Sequence, residues 1–476
     1  MAASKSSSSF LVTAAPSYQN RASTHLLNLQ ASPLSTGCRP CAPAALPAAD
    51  NITGTATSRA SSTFRASCPS PSAGTDGITG VALQAALSMP FLNIAPASGN
   101  ASGTEQRQLY IIFLDSDALG DRPGLAQCVQ QLLGVDPAEQ LLDHLNGFTA
   151  RLTTAQAQQL QRSKGVRNIE TDSIVTLAQP FSEMKIQSTG SIGATGQITP
   201  YGAPMVWGKT DYSKSINSGK YAFVLDTGVS TQTNDLNINT TYSRNFTSSN
   251  SRDWTDYQGH GTHVAGTIAA INDGDGVVGV APGANIISIR VLDRNGSGQT
   301  SWIVNGINYA AGLVKSGAFS TINPSNLVAN ISLGGGLNST LDNALRAAAS
   351  PDSRGRYLRF AIAAGNSGAD VDNSSPANTG DAANIYTVSA VDGTNTMASW
   401  SNYDNLGDSI DDCDFSAPGV GIVSLGMSAG SLISMSGTSM AAPHVAGALL
   451  MGTPLAGPLS SPVISGASGD PFALLS

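Results

Sequence analysis

Charge is scarce in this sequence: Asp, Glu, Lys and Arg make up 12% of the 476 residues, and acidic groups outnumber basic ones for a net charge of −8. Clustered Lys and Arg, which phosphate backbones require, are missing, so a nucleic-acid partner is not expected. No run of about 18 apolar residues occurs, so neither is a membrane-spanning helix. Cysteine is equally sparse: Cys38, Cys41, Cys68, Cys128 and Cys413. Only Cys413 falls in the segment read below as the catalytic domain, which therefore has no internal disulfide. Cys38-Arg-Pro-Cys41 has metal or redox spacing, but no second pair and no strand–helix context accompany it. What is abundant is glycine, 50 residues against 41% hydrophobic ones. That is the composition of a globular chain with many tight turns.

Residues 1–105 are rich in Ser, Ala, Pro, Thr and Gly, with no acidic residue before Asp50. Such a stretch buries too little apolar surface to order itself, and its acid-poor start suits an organelle transit peptide. Plastid import is the expectation. The apolar stretch Val81–Ile94 followed by Ala95-Pro-Ala97 has the look of a signal-peptide core and leaves secretion as the alternative, in which case Asn239 and Asn245 head glycosylation sequons.

Composition changes near residue 107. Tyr110–Leu114, Phe148–Leu152 and Val166–Thr171 read as strands, and 154–162 reads as a Thr-capped helix. The stretch 107–176 is thus a small α+β domain, with 177–196 a linker. From 197 to 451, Tyr221–Leu225, Asn285–Ile289, Leu327–Ile331 and Phe360–Ala364 are apolar without alternation, as in parallel strands covered on both faces. Ser301–Lys315 carries an amphipathic helical stripe at Ile303, Ile307, Ala310, Ala311 and Val314. A three-layer α/β fold with a mostly parallel sheet is expected, and 452–476, rich in Gly, Pro and Ser, reads as an irregular tail.

Three short motifs carry chemistry. Val224-Leu-Asp-Thr-Gly228 sets Asp226 at the carboxyl end of a buried strand. Gly259-His-Gly-Thr-His-Val-Ala-Gly266 sets His260 before a small-residue helix, and Gly437-Thr-Ser-Met-Ala-Ala-Pro-His444 sets Ser439 at a Gly-led helix start. Taken one at a time, these are ordinary caps and turns, and the two histidines lack the Glu or third ligand of a metal site. Together, Asp, His and Ser are the three groups that acyl transfer needs: a nucleophile, a base and an orienting carboxylate.

In that order, and within DTG, HGTHVAG and GTSMAAPHVAG, they resemble the signatures of the subtilisin-like (subtilase) family of serine endopeptidases. The resemblance implies catalysis by Asp226, His260 and Ser439, with His263 and His444 structural. Ala363-Ala-Gly-Asn-Ser-Gly368 resembles the family's oxyanion motif and points to Asn366, a kind of donor whose loss costs about 10²–10³ in turnover in subtilisins. Gly296-Ser297-Gly298 and Ser332-Leu333-Gly334 resemble the two edges that bind extended protein or peptide substrates. Residues 107–176 resemble the family's inhibitory propeptide, a ferredoxin-like domain that the enzyme removes from itself. A structural calcium ion is implied at Gln197, Asp235, Ile271, Asp273, Asp275 and Val277, forming fully only once cleavage frees Gln197. No catalytic metal or organic cofactor and no membrane or nucleic-acid partner is expected, and the enzyme should be a monomer. Only 37 residues follow Ser439, fewer than the family usually has. A catalytically inert, regulatory relative is therefore the competing expectation.

Overall fold

The computed structural model describes residues 107–115, 141–142, 147–163, 165–177, 187–188, 196–215, 217–405, 412–463 and 467–475. All lie in one compact unit, Arg65–Ser476. The readings for 1–105, for Cys38, Cys41, Cys68 and Cys128, and for most of the linker fall outside the described residues.

The small domain is an antiparallel sheet of β1 (Gln108–Leu114), β2 (Leu141–Leu142), β3 (Gly147–Leu152) and β4 (Val166–Thr171), in the order β2-β3-β1-β4. That order is ferredoxin-like. Helix α1 (Thr154–Gln161) begins one residue later than its cap, which is Thr153. The Thr153 hydroxyl accepts from Gln156 N while Gln156 Oε1 accepts from Thr153 N, a reciprocal capping box. After β4 the chain runs straight into β5 (Ile174–Leu177), and a short β6 (Gln187–Ser188) follows.

The large domain opens with helix α2 (Gly202–Trp207) and is built on a ten-stranded sheet. Its parallel centre consists of β7 (Tyr221–Asp226), β10 (Asn285–Arg290), β12 (Leu327–Ile331), β14 (Arg359–Ala363), β15 (Ile385–Val391) and β16 (Phe415–Pro418). Short β8 (Asn237–Ile238) and β9 (Arg244–Asn245) pair with β10. Outside the sheet lie β11 (Ser297–Gln299) and β13 (Leu333–Gly334), and β17 (Ile422–Leu425) pairs antiparallel with β18 (Leu432–Met435).

Period-two geometry explains why these strands show no polar alternation. In β7, Ala222 and Val224 face a core built with helices α3 (His260–Ala269) and α6 (Thr438–Met451). Phe223 and Leu225 face the opposite core, built with α4 (Thr300–Ser316) and α5 (Ser339–Ala349). Both faces are covered, so both must be apolar.

The C-terminal stretch is corrected by the structure. Instead of an irregular tail, 452–476 carries β19 (Leu455–Leu459) and β20 (Pro471–Leu474); β20 runs parallel to β16, and β19 pairs back on it. The Gly and Pro content hid them, because the pairing is long-range and the apolar anchors are few. Phe472 and Leu475 pack with Val206 and Trp207 of α2, and Leu475 N donates to Val206 O at 2.8 Å. Asp470, 2% exposed, accepts from the Ser389 hydroxyl of β15, and its N–H donates to Ser460 Oγ at 3.0 Å. Removing a buried acceptor strands its donors. Asp470→Ala is expected to lower stability by about 2–3 kcal/mol in urea denaturation of the full chain.

Candidate active site

Parallel pairing aligns the carboxyl ends of neighbouring strands, and the expected catalytic residues stand along that edge. Asp226 ends β7, Ser332 follows β12, and Asn366 lies three residues beyond β14; these three strands are adjacent in the order β7-β12-β14. Adjacent strands are roughly 4.8 Å apart, so the three positions line one edge of the sheet within about 10 Å. Asp226 is fully buried, and its Oδ1 and Oδ2 lie 2.9 and 3.0 Å from His260 Nδ1. Oδ1 also accepts from Thr227 N at 2.7 Å. The proton of the imidazole is thereby held on Nδ1, leaving Nε2 as the basic nitrogen. Glycine makes the approach possible: a Cβ on Gly261 would lie 2.1 Å from Gly228 O and 3.1 Å from Asp226 Cβ.

Ser439 is the second residue of α6 and is 1% exposed. Pro443 lies four residues on and has no N–H to give, so the Ser439 carbonyl lacks its helical partner. Ser332 Oγ donates to it instead at 2.9 Å, and Asn330 Nδ2 donates to Ser332 Oγ at 2.9 Å. The Ser439 hydroxyl donates to Ser332 O at 3.2 Å. Asn366 Oδ1 accepts from Thr438 N at 2.8 Å and Thr438 Oγ1 at 3.0 Å, which turns the amide's NH2 end away from them. Its loop is braced by Asn402, whose Oδ1 accepts from Ser367 N and Ala369 N and whose Nδ2 donates to Ala364 O.

His263 and His444 are buried and do not join this group. His263 Nε2 donates to Ile422 O, and burial pushes its pKa down to about 3. His444 Nδ1 donates to Met440 O, and burial pushes its pKa down to about 4. Both are neutral packing groups.

The expected substrate edges are already paired. β5, the strand leaving the small domain, lies between β11 and β13, antiparallel to both. Ser297 faces Thr176, Gly298 faces Val175, Leu333 faces Leu177 and Gly334 faces Thr176. Leu177 N donates to Gly296 O at 3.0 Å. A Cβ on Gly296 would lie 2.6 Å from Leu177 Cδ1, so glycine there opens the space that the leucine fills. Beyond Leu177 opens a cavity of ≈ 360 Å³ walled by Gly334, Gly335, Gly336, Asn366 and Ser375.

Two carboxylates seat the small domain, and the sequence reading missed both. Glu170 accepts from the hydroxyls of Ser339 and Thr340 and from Thr340 N, at the start of α5. Asp172 accepts from Ser301 N at 2.9 Å and Ser301 Oγ at 2.7 Å, at the start of α4. Each satisfies unpaired helix N–H groups and sits at the positive end of a helix dipole.

The expected calcium residues also converge, and in the uncleaved chain rather than only after cleavage. Ile198 pairs with Val277 and holds Gln197 at the 271–277 loop. The Gln197 amide nitrogen meets the carbonyls of Ile271, Asp275 (2.8 Å) and Val277 (3.1 Å), so three oxygens point at one place. Asp235 beside them is 6% exposed and accepts from Ile271 N and Val277 N. Burial, helped by the Asp273 and Asp275 charges, pushes its pKa up to about 7. Among the described residues no three His, Cys, Asp or Glu side chains cluster as a metal site. Gln197 Oε1 itself accepts from Gly274 N at 3.2 Å, so the converging oxygens are three backbone carbonyls beside a buried carboxylate, a set that suits a hard cation such as calcium.

Residues 219–453 match the Subtilase family, and residues 140–178 match Peptidase inhibitor I9. Subtilisin NAT of Bacillus subtilis subsp. natto is 31% identical over 369 residues, covering 77% of this chain and 85% of its own length. Subtilisin-like protease 2 of Pseudogymnoascus destructans is 36% identical over 309 residues, 62% of this chain and 69% of that one. Alkaline serine exoprotease A of Vibrio alginolyticus is 35% identical over 65% of this chain, which spans about half (52%) of that protein. A solved cold-adapted subtilisin-like serine proteinase is 33% identical, with a TM-score of 0.43 over 54% of this chain and 85% of that one. With the family signatures and the inhibitor segment in one polypeptide, this chain belongs to the subtilase family of serine peptidases.

Proposed function

We infer that the protein is an endopeptidase that hydrolyses peptide bonds through Asp226, His260 and Ser439, and that it matures by removing its own propeptide. The observation that carries this reading is the seating of β5 between β11 and β13, the way an extended substrate would lie, with Leu177 leading to the cavity beside Asn366. Ser439 would turn its hydroxyl from the Ser332 carbonyl to His260 Nε2 and attack the carbonyl carbon of the scissile bond. His260 takes the proton, Asp226 stabilises the imidazolium, and the proton then passes to the departing amine. The Asn366 amide and the Ser439 N–H serve the oxyanion, a donor pair worth most in the transition state. Water, activated by the same imidazole, releases the acyl group. The inert, regulatory alternative has less support, since four catalytic groups and their braces are all kept. Cleft-lining glycines favour backbone recognition of protein or peptide substrates.

The calcium reading assigns Gln197, Asp235, Asp273 and the carbonyls of Ile271, Asp275 and Val277 to one structural ion, which would offset the charge buried at Asp235. For location we propose an extracellular enzyme. The relatives above come from bacteria and a fungus, which have no plastids, so they lend the plastid expectation no support. No helix among the described residues is long and apolar enough to cross a membrane. Of these sequons, Asn245 is 3% exposed with its amide donating to Ser248 and Asn250, so Asn239 is the more open of the pair to glycan.

Three outcomes test the reading. Mass spectrometry of the recombinant chain should find wild type cut near the end of β5 and Ser439→Ala intact; a processed Ser439→Ala would reject self-cleavage. Glu170→Gln combined with Asp172→Asn should weaken propeptide inhibition about 10- to 100-fold, measured as Ki against the mature enzyme, because two helix-end charges of about 1 kcal/mol or more are lost. Excess EDTA should lower the melting temperature by roughly 5–10 °C relative to millimolar calcium. Asp235→Ala should abolish that difference, and identical wild-type curves would reject the ion.

A further inference from the structure

Asp256 lies in the loop before α3, four residues ahead of His260, and is 4% exposed. Its carboxylate receives five hydrogen bonds. Oδ1 accepts from Thr227 Oγ1 (2.9 Å), Gln258 N (2.8 Å) and Gly259 N (2.8 Å). Oδ2 accepts from Thr262 N (3.0 Å) and Thr262 Oγ1 (2.6 Å). These donors fall into two sets. Thr227 is the neighbour of Asp226 at the end of β7, and its own N–H bonds the Asp226 carboxylate. Gly259 and Thr262 bracket His260 at the start of α3. Thr227 Oγ1 closes the ring by accepting from Gly261 N at 3.0 Å, and Thr262 Oγ1 accepts from Ser230 N at 3.0 Å.

One buried carboxylate thus ties the strand end that carries the orienting Asp to the helix end that carries the base. The two residues it aligns are 34 positions apart in sequence, and this junction joins the segments that carry them beside their own contact. All five partners are donors, so an acceptor-only group is required. An asparagine of the same shape would present an NH2 to at least two N–H or O–H groups. The charge also sits at the positive end of α3.

We propose that Asp256 is a positioning residue for the peptidase reaction, holding the Asp226–His260 pair in its working orientation through Thr227 and Thr262. It touches neither substrate nor reacting atoms. Substrate is held at β11 and β13, which Asp256 does not contact, so its effect falls on turnover rather than on binding. Misplacement of a catalytic group by a fraction of an ångström to 1 Å costs up to about 10² in rate.

The inference rests on the triad assigned under the proposed function, and the experiment separates the two. Full chains carrying Asp256→Asn or Thr227→Val are matured with a trace of wild-type enzyme and counted by fluorophosphonate titration. Asp256→Asn should lower kcat per titrated site about 10- to 100-fold with KM changed less than about twofold. The low-field proton resonance of His260 Nδ1 should move in the same variant. Thr227→Val should also lower kcat, Thr227→Ser should restore it, and the double variant should lose less than the product of the single losses. A kcat within about twofold of wild type, or a loss explained wholly by fewer folded molecules with the resonance unmoved, would overturn the proposal. Should Asp256→Asn fail to fold, an unaltered kcat in Thr227→Val overturns it alone. A wild type that neither turns over peptide nor labels at Ser439 would instead reject the triad reading.

Discussion

The parallel register of β7, β12 and β14 is the constraint on which the rest of this structure depends. Hydrogen-bonded parallel strands end together, so Asp226, Ser332 and the loop carrying Asn366 emerge on one edge of the sheet. The helices that bring His260 and Ser439 must start at that same edge. They lie on the face lined by Ala222, Ala361, Ala363, Ala390 and Ala417, where small side chains let α3 and α6 come close. The opposite face carries the bulk, Phe223, Phe360, Ile287 and Leu327, against α4 and α5. Fine positioning of the site is thus set by which side of each strand is small, a decision made deep in the core.

At the strand ends the regular backbone pairing stops, and side-chain amides, hydroxyls and carboxylates take over. Asn402 braces the Asn366 loop, Thr438 anchors its amide, and Ser332 with Asn330 serves the carbonyl that Pro443 leaves unpaired. Each group is nearly inaccessible to water, where an unmet donor or acceptor is costly, and of this set's buried side-chain atoms the Asn330 Oδ1 is the one left without a partner. An active edge of this kind is rigid because its polar groups have few alternative partners.

The small domain engages the large one by two different means. β5 extends a sheet and is read through its backbone, with Val175 and Leu177 filling buried space. Glu170 and Asp172 act on helix ends, where orphan N–H groups and the dipole favour an anion. The first mode resembles a substrate and the second does not, so a ligand offering only the strand lacks half of the interface. Elsewhere the same electrostatics works against the fold: Asp235 is buried beside two further carboxylates, a strain that a cation would remove.

The strands of the sheet and the amphipathic helix were legible in the sequence, because continuous apolar runs and a 3.6-residue stripe are local patterns. Asp226, His260, Ser439 and Asn366 stood out as candidates, each inside a short motif whose glycines allow close backbone approach, as at Gly261. Residue type and order by themselves determined the family. The contacts of Glu170 with α5 and of Asp172 with α4 were not legible, and neither was the hairpin held by Asp470. Each joins residues some 80 to 170 positions apart, and no local pattern marks a carboxylate as a cap for a distant helix. Asp256 was hidden for a different reason: a loop aspartate beside a glycine turn looks like any turn residue. Only the meeting of β7 with α3 turned its five acceptor contacts into a brace, because register and helix placement are properties of the packed sheet and not of any segment within it.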